Sequence, residues 1–286
     1  MTVETAYHIA HGIADAGWTS RIEFAMHGEP SINPHIADIV ATFRQALPKN
    51  QLMMTSNGSG FAKNPLDKLN DVFWAGLNIL ALDDYVGAHM IEKVRAEHGM
   101  YKLVDYPKDG LEFTPHRRRP ISTKLIVVIE DIAKATEGGH STLNNHCGGG
   151  APKNGLGEGK RCAKPFREMS FRWDGNVALC CNSFRGIYRI DSVHRMSVAD
   201  IWQHPAFTAA RKRLMLGQRD FGDCLGCDAT STRVGLLPDK MGKQKMPEFT
   251  DVDRIAIDAA VNQGPLTQIV LRPWEKLRNE ETKNAS

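Results

Sequence analysis

The first 146 residues of this 286-residue chain contain no cysteine, and all six cysteines lie between Cys147 and Cys227. No stretch approaches the roughly 20 apolar residues that a membrane-spanning helix needs. The first twenty residues, which include His8, His11 and Asp15, also lack the pattern of a signal peptide. We therefore expect a cytoplasmic protein without a membrane partner. Cysteines in that compartment seldom form disulfides, so their spacing is interpreted as metal or redox chemistry.

The chain also lacks a strong excess of charge of either sign. Its 36 lysines and arginines against 33 acidic residues leave a net charge of +3, which is too small to indicate a nucleic-acid partner. One basic cluster, HRRRP at 116–120, stands out. It could contact an anionic substrate, but such clusters are usually solvated loops, and that is the interpretation we favour.

Helical and strand patterns alternate from residue 1 to about 135. Predicted helices lie at 3–16, 36–47, 66–74 and 86–97, and predicted strands lie at 22–26, 52–55, 77–82 and 124–130. Strands separated by helices of this length favour a parallel sheet with right-handed crossovers, either open or closed into a full or partial barrel. In such folds the loops at the carboxyl ends of the strands carry the active site.

Three polar or glycine-bearing loops follow these strands: HGEP at 27–30, TSNGSG at 55–60 and LDD at 82–84. Gly28 would let the backbone approach a ligand, and Glu29 offers a carboxylate to an ammonium group. Asn33 and Pro34 suit the N-cap and the first position of the following helix. HGEP and SNG are also ordinary turn sequences, and taken alone they favour that simpler interpretation.

The sequence changes character after the glycine-rich segment 146–160. Residues 161–186 predict a β-hairpin around an Asp174-Gly175 turn, and 196–218 predict one helix with Ser197 as its N-cap. Four cysteines frame these elements: Cys162, then seventeen residues to Cys180, forty-three to Cys224 and two to Cys227. The hairpin and the returning helix would bring four thiolates to one centre. Spacing alone does not choose between zinc and an iron–sulfur cluster.

The other two cysteines have weaker signals. Cys181 follows Cys180 directly on a predicted strand, so the two side chains point to opposite faces and we expect Cys181 to pack rather than to bind. Cys147, in NNHCGGG, could be a free thiol or an additional ligand. We favour neither role for it from the sequence, because a lone cysteine beside glycines is a weak signal.

The order and spacing of these residues resemble the SPASM module, or its shorter twitch form, at the carboxyl end of many radical S-adenosylmethionine (radical SAM) enzymes. The matching features are Cys-x-x-Pro-Phe from Cys162, the Asp-Gly hairpin, Cys180-Cys181-Asn182, SVADIW and the final Cys-x-x-Cys. NNHCGG resembles the joint that precedes the module. The number of well-placed cysteines, four, is similar to that of the twitch form, which has one auxiliary cluster, rather than to that of the full form, which has two. The resemblance implies one auxiliary 4Fe-4S cluster bound by Cys162, Cys180, Cys224 and Cys227.

The same resemblance extends to the loops of the amino-terminal half. It implies contacts with S-adenosylmethionine at Gly28, Glu29, Pro30, Ser56, Asn57 and Asp83. It also implies an α/β fold, a partial (β/α)6 radical-SAM-type barrel lacking its first strand, followed by a small hairpin-and-helix module. The expected divisions are a barrel at 1–145, a glycine-rich joint at 146–160, the SPASM/twitch module at 161–232 and a tail of unknown role at 233–286.

One departure from the family pattern is large. The family holds its catalytic 4Fe-4S cluster in a Cys-x-x-x-Cys-x-x-Cys loop after the first strand, and no cysteine precedes Cys147 here. A loss confined to one block indicates truncation more than gradual decay of the site. We therefore expect the catalytic cluster only in a complete chain, and we expect residues 1–286 alone to be unable to cleave SAM.

By resemblance, a reduced catalytic cluster in the complete protein would give one electron to SAM and cleave it to methionine and a 5′-deoxyadenosyl radical. That radical would abstract hydrogen from an unknown peptide or small molecule. Its reductant would be a flavodoxin or a ferredoxin. Two other hypotheses stay open. One is a non-catalytic iron–sulfur or zinc-binding scaffold with a degenerate barrel that recognises a partner. The other is a structural zinc module attached to an unrelated α/β domain.

Overall fold

The computed structural model describes residues 1–83, 89–129, 147, 159–229 and 248–262. The chain forms two compact units, one made chiefly of residues before 144 and the other chiefly of residues from 144 onward. Within the described ranges, no helix is long and apolar enough to cross a membrane. The predicted joint 146–160 and the predicted tail 233–286 lie mostly outside the described residues, as does part of the helix predicted at 86–97.

The amino-terminal unit is a parallel α/β sheet. Its strands are β1 (Ile22–Phe24), β2 (Leu52–Ser56), β3 (Ile79–Asp83), β4 (Lys102–Tyr106) and β5 (Leu125–Ile129), and its α-helices are α1 (Val3–Asp15), α2 (Ile36–Ala46), α3 (Pro65–Trp74) and α4 (His89–Ala96). The strand order is β1-β2-β3-β5-β4, with every neighbouring pair parallel. This confirms the predicted α/β class with a parallel sheet.

The core of this unit lies on the central strands. Every residue of β3 is buried, as expected for a parallel strand covered on both faces. One core cluster joins Met53, Ile79, Ala81, Val104, Leu125 and Val127 across four strands. The strand β4 was missed from the sequence, because its residues Lys102–Tyr106 mix charged and apolar side chains at the edge of the sheet.

The carboxy-terminal unit contains the short antiparallel sheet β6 (Ser170–Phe171), β7 (Asn176–Ala178) and β8 (Arg189–Ser192). Its helices are α5 (Lys164–Arg167), α6 (Val198–Gln203), α7 (Pro205–Met215) and α8 (Asp251–Asn262), with a 3₁₀ helix at Gly222–Cys224. The predicted hairpin is present, and Gly175 has the positive φ of +80° that its turn requires.

The single helix predicted at 196–218 is wrong, because α6 and α7 are separate helices that break at His204. Pro205 has no backbone N–H, so it begins a new helix instead of continuing the old one. His204 Nδ1 accepts a hydrogen bond from the Ala206 N–H at 3.2 Å and caps the new helix. The N-cap predicted at Ser197 is confirmed by the Asp200 N–H, which donates to Ser197 Oγ at 3.1 Å.

The helix α8 comes from the segment that the sequence left without a role. It packs against α7, and Lys212 Nζ lies 2.9 Å from Asp253 Oδ2. The Asp253 carboxylate also accepts a hydrogen bond from the Thr250 N–H at the start of the helix. Residues 251–262 therefore complete the second unit.

Candidate functional site

The four predicted ligand cysteines are all buried in the carboxy-terminal unit. Cys162 precedes α5, Cys180 follows β7, and Cys224 ends the 3₁₀ helix. Cys227 closes a tight loop, in which its N–H donates to the Cys224 carbonyl at 3.1 Å. None of the four is in a disulfide.

Their thiols lie within electrostatic range of one another. Burial raises the pKa of Cys224 well above its ordinary value. The next largest causes are the charges of three other cysteines, Cys180, Cys162 and Cys227. No trio of His, Cys, Asp or Glu side chains among the described residues is spaced to hold a single metal ion. Buried thiols are the donors of both zinc sites and iron–sulfur clusters, but the spacing of the described thiols does not suit a single zinc ion.

Cys147 belongs to this group of thiols, although the sequence argument favoured no role for it. It is 3% exposed and packs against Cys227 and Ala229. Its hydrogen bonds to Cys180 and Cys227, together with burial, raise the pKa of Cys147. The same hydrogen bond from Cys147 lowers the pKa of Cys227. Five cysteines, rather than four, therefore share this part of the second unit.

Cys181 has different surroundings from Cys180. The two residues follow β7 instead of lying in it, which differs from the predicted strand position. The Lys164 ammonium donates a hydrogen bond to Cys181 Sγ at 2.9 Å, and Lys164 Nζ also lies 3.7 Å from Glu168 Oε1. Burial, and then the Glu168 carboxylate, raises the pKa of Cys181 to about 12. This thiol is therefore engaged by Lys164, with Asn182 Oδ1 3.5 Å away.

Arg219 holds the backbone on both sides of the thiol group. It is buried, and Nε donates to the Lys160 carbonyl at 2.8 Å while Nη1 donates to the Ala229 carbonyl at 2.9 Å. Nη1 also lies 3.3 Å from the Cys227 carbonyl. The charge of Arg219 lowers the pKa of Cys227. Sequence reasoning missed this residue because its partners are backbone carbonyls, which leave no sequence signal.

Asp223 plays a similar part beside Cys224. Its buried carboxylate accepts hydrogen bonds from the Ser183 hydroxyl at 2.7 Å and from the Tyr188 N–H at 2.6 Å. The Ile187 N–H donates a third, at 3.1 Å. These bonds fix the 3₁₀ helix that presents Cys224 against the loop between β7 and β8.

In the amino-terminal unit, the Glu29 carboxylate connects the two predicted loops. Its Oε1 accepts hydrogen bonds from the Ser31 N–H at 2.8 Å and from the Ser56 hydroxyl at 2.6 Å. Its Oε2 accepts from the Asn57 N–H at 2.7 Å. The structure therefore brings Glu29, Ser56 and Asn57 together at the carboxyl end of β2.

The surrounding loop residues hold this arrangement. Pro30 begins a 3₁₀ helix (Pro30–Ile32) that Glu29 caps, and the Gly60 N–H donates to Ser31 Oγ at 2.9 Å. A side chain at Gly60 would place its Cβ 2.0 Å from the Ser31 carbonyl oxygen, so only glycine allows this approach. The two loops therefore form one fixed turn system.

Two other predicted residues lie at the same edge of the unit. Asp83 is buried and ends β3, directly after Leu82, which pairs with Ser56. A Cβ at Gly28 would meet no atom within 4 Å, so the backbone there faces open space. The N-cap predicted at Asn33 is wrong, because the N-cap of α2 is His35 and the helix begins at Ile36. Asn33 instead accepts a hydrogen bond from the His35 N–H at 3.0 Å.

The basic cluster at 116–119 is held by backbone contacts. The Gln51 side chain donates to the Arg117 carbonyl at 3.2 Å and accepts from the Arg119 N–H at 2.8 Å. The Arg21 guanidinium donates to the His116 carbonyl at 2.9 Å. These bonds fix the loop and leave Arg117 and Arg118 exposed, consistent with the solvated loop that we favoured.

Comparison with known proteins bears on the cysteine-containing segment and on the fold of the chain. Residues 162–228 match the SPASM iron-sulfur cluster-binding domain. The fold is similar to that of BtrN in complex with AdoMet and 2-DOIA, with a TM-score of 0.61 and 18% identity over 88% of this chain and 85% of BtrN.

A second BtrN structure, in an open conformation, gives a TM-score of 0.55 and 16% identity over 86% of each chain. No curated protein matches this sequence. At these identities the BtrN structures establish the fold alone. The chain therefore has an α/β fold similar to that of BtrN, and its residues 162–228 match the SPASM iron-sulfur cluster-binding domain.

Proposed function

We propose that this protein binds one auxiliary 4Fe-4S cluster through the thiolates of Cys162, Cys180, Cys224 and Cys227. We also propose that its complete form uses S-adenosylmethionine for hydrogen abstraction from a peptide or small molecule, with a flavodoxin or ferredoxin as reductant. When bound, a 4Fe-4S cluster with four cysteine ligands supplies one-electron chemistry. The residues of this chain would bind the cluster and SAM, orient them and shield them from water.

The observation that carries the cluster proposal is the group of four buried thiols, none of them in a disulfide, within residues 162–228, which match the SPASM domain. Buried thiolates are costly unless a cation compensates them, which iron does directly. Arg219 adds a positive charge close to Cys227. Asp223 and Arg219 both fix the backbone around the thiols, which orders them before the cluster binds.

The proposal for S-adenosylmethionine rests on the Glu29 turn system. Two backbone N–H groups and one hydroxyl hold the carboxylate in place, and a carboxylate can accept about four hydrogen bonds. One acceptor position therefore remains for the ammonium of an amino acid. Gly28 leaves open space beside it, and Pro30, Ser56, Asn57 and Asp83 complete the set that we propose contacts the cofactor. The AdoMet in the BtrN complex supports this assignment.

Metal analysis after anaerobic reconstitution tests the cluster. We expect about four irons and four sulfides per chain, with the absorbance and EPR signals of a 4Fe-4S cluster. Cys224→Ala is expected to lose most of this iron, because it removes a ligand. Cys181→Ala is the matched control and should retain it, since its thiol is engaged by Lys164. Zinc without iron in the unmodified chain would contradict the proposal.

Calorimetric titration with S-adenosylmethionine tests the second assignment. We expect Glu29→Gln to weaken binding about tenfold, because it replaces a charged acceptor with a neutral amide that also repels the Asn57 N–H. Glu23→Gln is the control: its carboxylate also accepts a hydroxyl hydrogen bond, from Thr55, but it lies outside the turn system. Equal effects of the two substitutions would argue against a role for Glu29 in binding.

A further inference from the structure

A small cavity lies at the amino ends of β1 and β2, where Arg21 and Gln51 directly precede the two strands. Its volume is about 160 Å³. The described residues that line it all belong to the amino-terminal unit and are Thr19, Ser20, Arg21, Gln51, His116 and Arg118. These residues carry hydroxyls, an amide, an imidazole and two guanidiniums, with no carboxylate among them. We call this feature the basic cavity.

Two consecutive buried side chains, Asn50 and Gln51, hold the walls of the basic cavity. Asn50 Nδ2 donates to the Trp18 carbonyl at 3.0 Å and to the Ser20 carbonyl at 2.8 Å, which fixes the segment that enters β1. Gln51 holds the opposite wall through its two hydrogen bonds to the backbone of 117–119. Both walls are therefore ordered before a ligand binds, which lowers the entropic cost of binding.

The uncompensated charge of the basic cavity is that of Arg118. Its guanidinium has no hydrogen-bond or ion-pair partner in the part of the chain that the structure describes. Arg21 is partly engaged, since Nη2 lies 3.3 Å from Glu23 Oε2 and Nη1 donates to the His116 carbonyl at 2.9 Å. A guanidinium has five N–H donors, so Arg21 retains donors for a further acceptor. The cavity therefore combines a positive charge with spare donors on both walls.

We propose that the basic cavity binds a phosphate group, either free or carried by a small molecule. An arginine can donate to two phosphate oxygens at once, and hydroxyls can donate to others. Because donors come from both walls, a tetrahedral phosphate suits the cavity better than a planar carboxylate. The volume of about 160 Å³ is roughly five times the ~30 Å³ share of one liquid water, which suits a small anion rather than a protein surface.

This site is distinct from the one proposed for S-adenosylmethionine. Gln51 directly precedes the five residues of β2, and Asn57 directly follows them. At the rise of a strand, the two ends of β2 are roughly 20 Å apart. A small ligand in the basic cavity is therefore out of reach of the Glu29 turn system. The inference rests neither on the cluster nor on cofactor binding.

Calorimetric titration of the full chain with inorganic phosphate, and separately with glycerol phosphate, tests the site. We expect saturable binding at about 0.15 M salt, where loosely attracted ions are screened. Arg118→Gln is expected to weaken binding about tenfold, because it removes both the charge and the paired donors. Arg117→Gln is the matched control. It removes the same charge from an adjacent exposed residue that does not line the cavity, and it should change the affinity about twofold or less.

The two ligands distinguish the source of the phosphate. Tighter binding of glycerol phosphate would support the proposal with a small phosphate ester as the ligand, and tighter binding of inorganic phosphate would support it with the free ion. The proposal is overturned if neither ligand binds saturably, or if both substitutions weaken binding equally.

A second measurement does not depend on the variants. Saturating phosphate should shift the NMR signals of the Gln51 side-chain amide in the unmodified chain, because this amide lines the cavity. Unchanged Gln51 signals would overturn the proposal even if Arg118→Gln did not fold.

Discussion

Asp223→Ala is expected to lower the free energy of unfolding of the carboxy-terminal unit by about 3 kcal/mol. The substitution removes the acceptor for three donors: the Ser183 hydroxyl and the N–H groups of Ile187 and Tyr188. These groups lie in the buried interior, so water cannot replace the lost partner without opening the structure. Urea unfolding followed by fluorescence measures the loss.

The same substitution should also reduce iron uptake. Asp223 directly precedes Cys224 in the 3₁₀ helix Gly222–Cys224, so losing its bonds frees the loop that presents this ligand. Anaerobic reconstitution of Asp223→Ala should therefore give well under the iron content of the unmodified chain.

Asp220→Ala is the matched control for Asp223→Ala. The Asp220 side chain is 67% exposed and forms an ion pair with Arg213, and exposed pairs contribute little to stability. We expect it to change the free energy of unfolding by about 0.5 kcal/mol or less and to leave iron uptake unchanged. If Asp223→Ala behaves like Asp220→Ala in both measurements, the buried bonds of Asp223 do not support the site as argued.

Asn78→Ala is expected to destabilise the amino-terminal unit by about 3 kcal/mol. Asn78 is 2% exposed and lies at the amino end of β3. Its Oδ1 accepts hydrogen bonds from the Leu52 N–H at 2.9 Å and from Arg44 Nη2 at 2.7 Å. Its Nδ2 donates to the Ile121 carbonyl at 2.5 Å.

This one side chain joins the starts of β2 and β3 to the segment that enters β5. Removing it leaves a strand N–H, a guanidinium and a carbonyl without their partner. The measurement is again urea unfolding, with hydrogen exchange of the Leu52 amide as a local readout. That amide should exchange faster in Asn78→Ala than in the unmodified chain.

Asn64→Ala is the control, because it removes the same side chain from an exposed position. Asn64 precedes α3, and its side chain makes no capping hydrogen bond there. We expect a cost below about 1 kcal/mol. A comparable loss in both variants would show that buried bonding at Asn78 adds nothing beyond the change of residue type.

Local patterns in the sequence predicted much of this molecule. The alternation of helix and strand periods predicted the parallel sheet. The Asp174-Gly175 turn predicted the hairpin formed by β6 and β7. The spacing of the cysteines around that hairpin predicted four ligands, and all four are buried in the carboxy-terminal unit. Each of these signals depends on residues close in sequence, or on an order of elements that few topologies satisfy.

Other features became visible only in the tertiary structure. The edge strand β4 beyond β5, the thiol of Cys147 beside Cys227, and the carbonyls held by Arg219 all join segments far apart in the chain. The break at Pro205 is a local exception, since the proline signal was present and was outweighed by the helical pattern around it.

The sequence by itself therefore determined the class of fold and the hairpin, and it predicted four cysteines as ligands of one site. The tertiary structure decided how those thiols are held, through Asp223 and Arg219, and it added Cys147 to them. The physical reason is that apolar periodicity and turn chemistry act over a few residues. A buried polar group is instead satisfied by whichever distant donor or acceptor the packed chain brings to it.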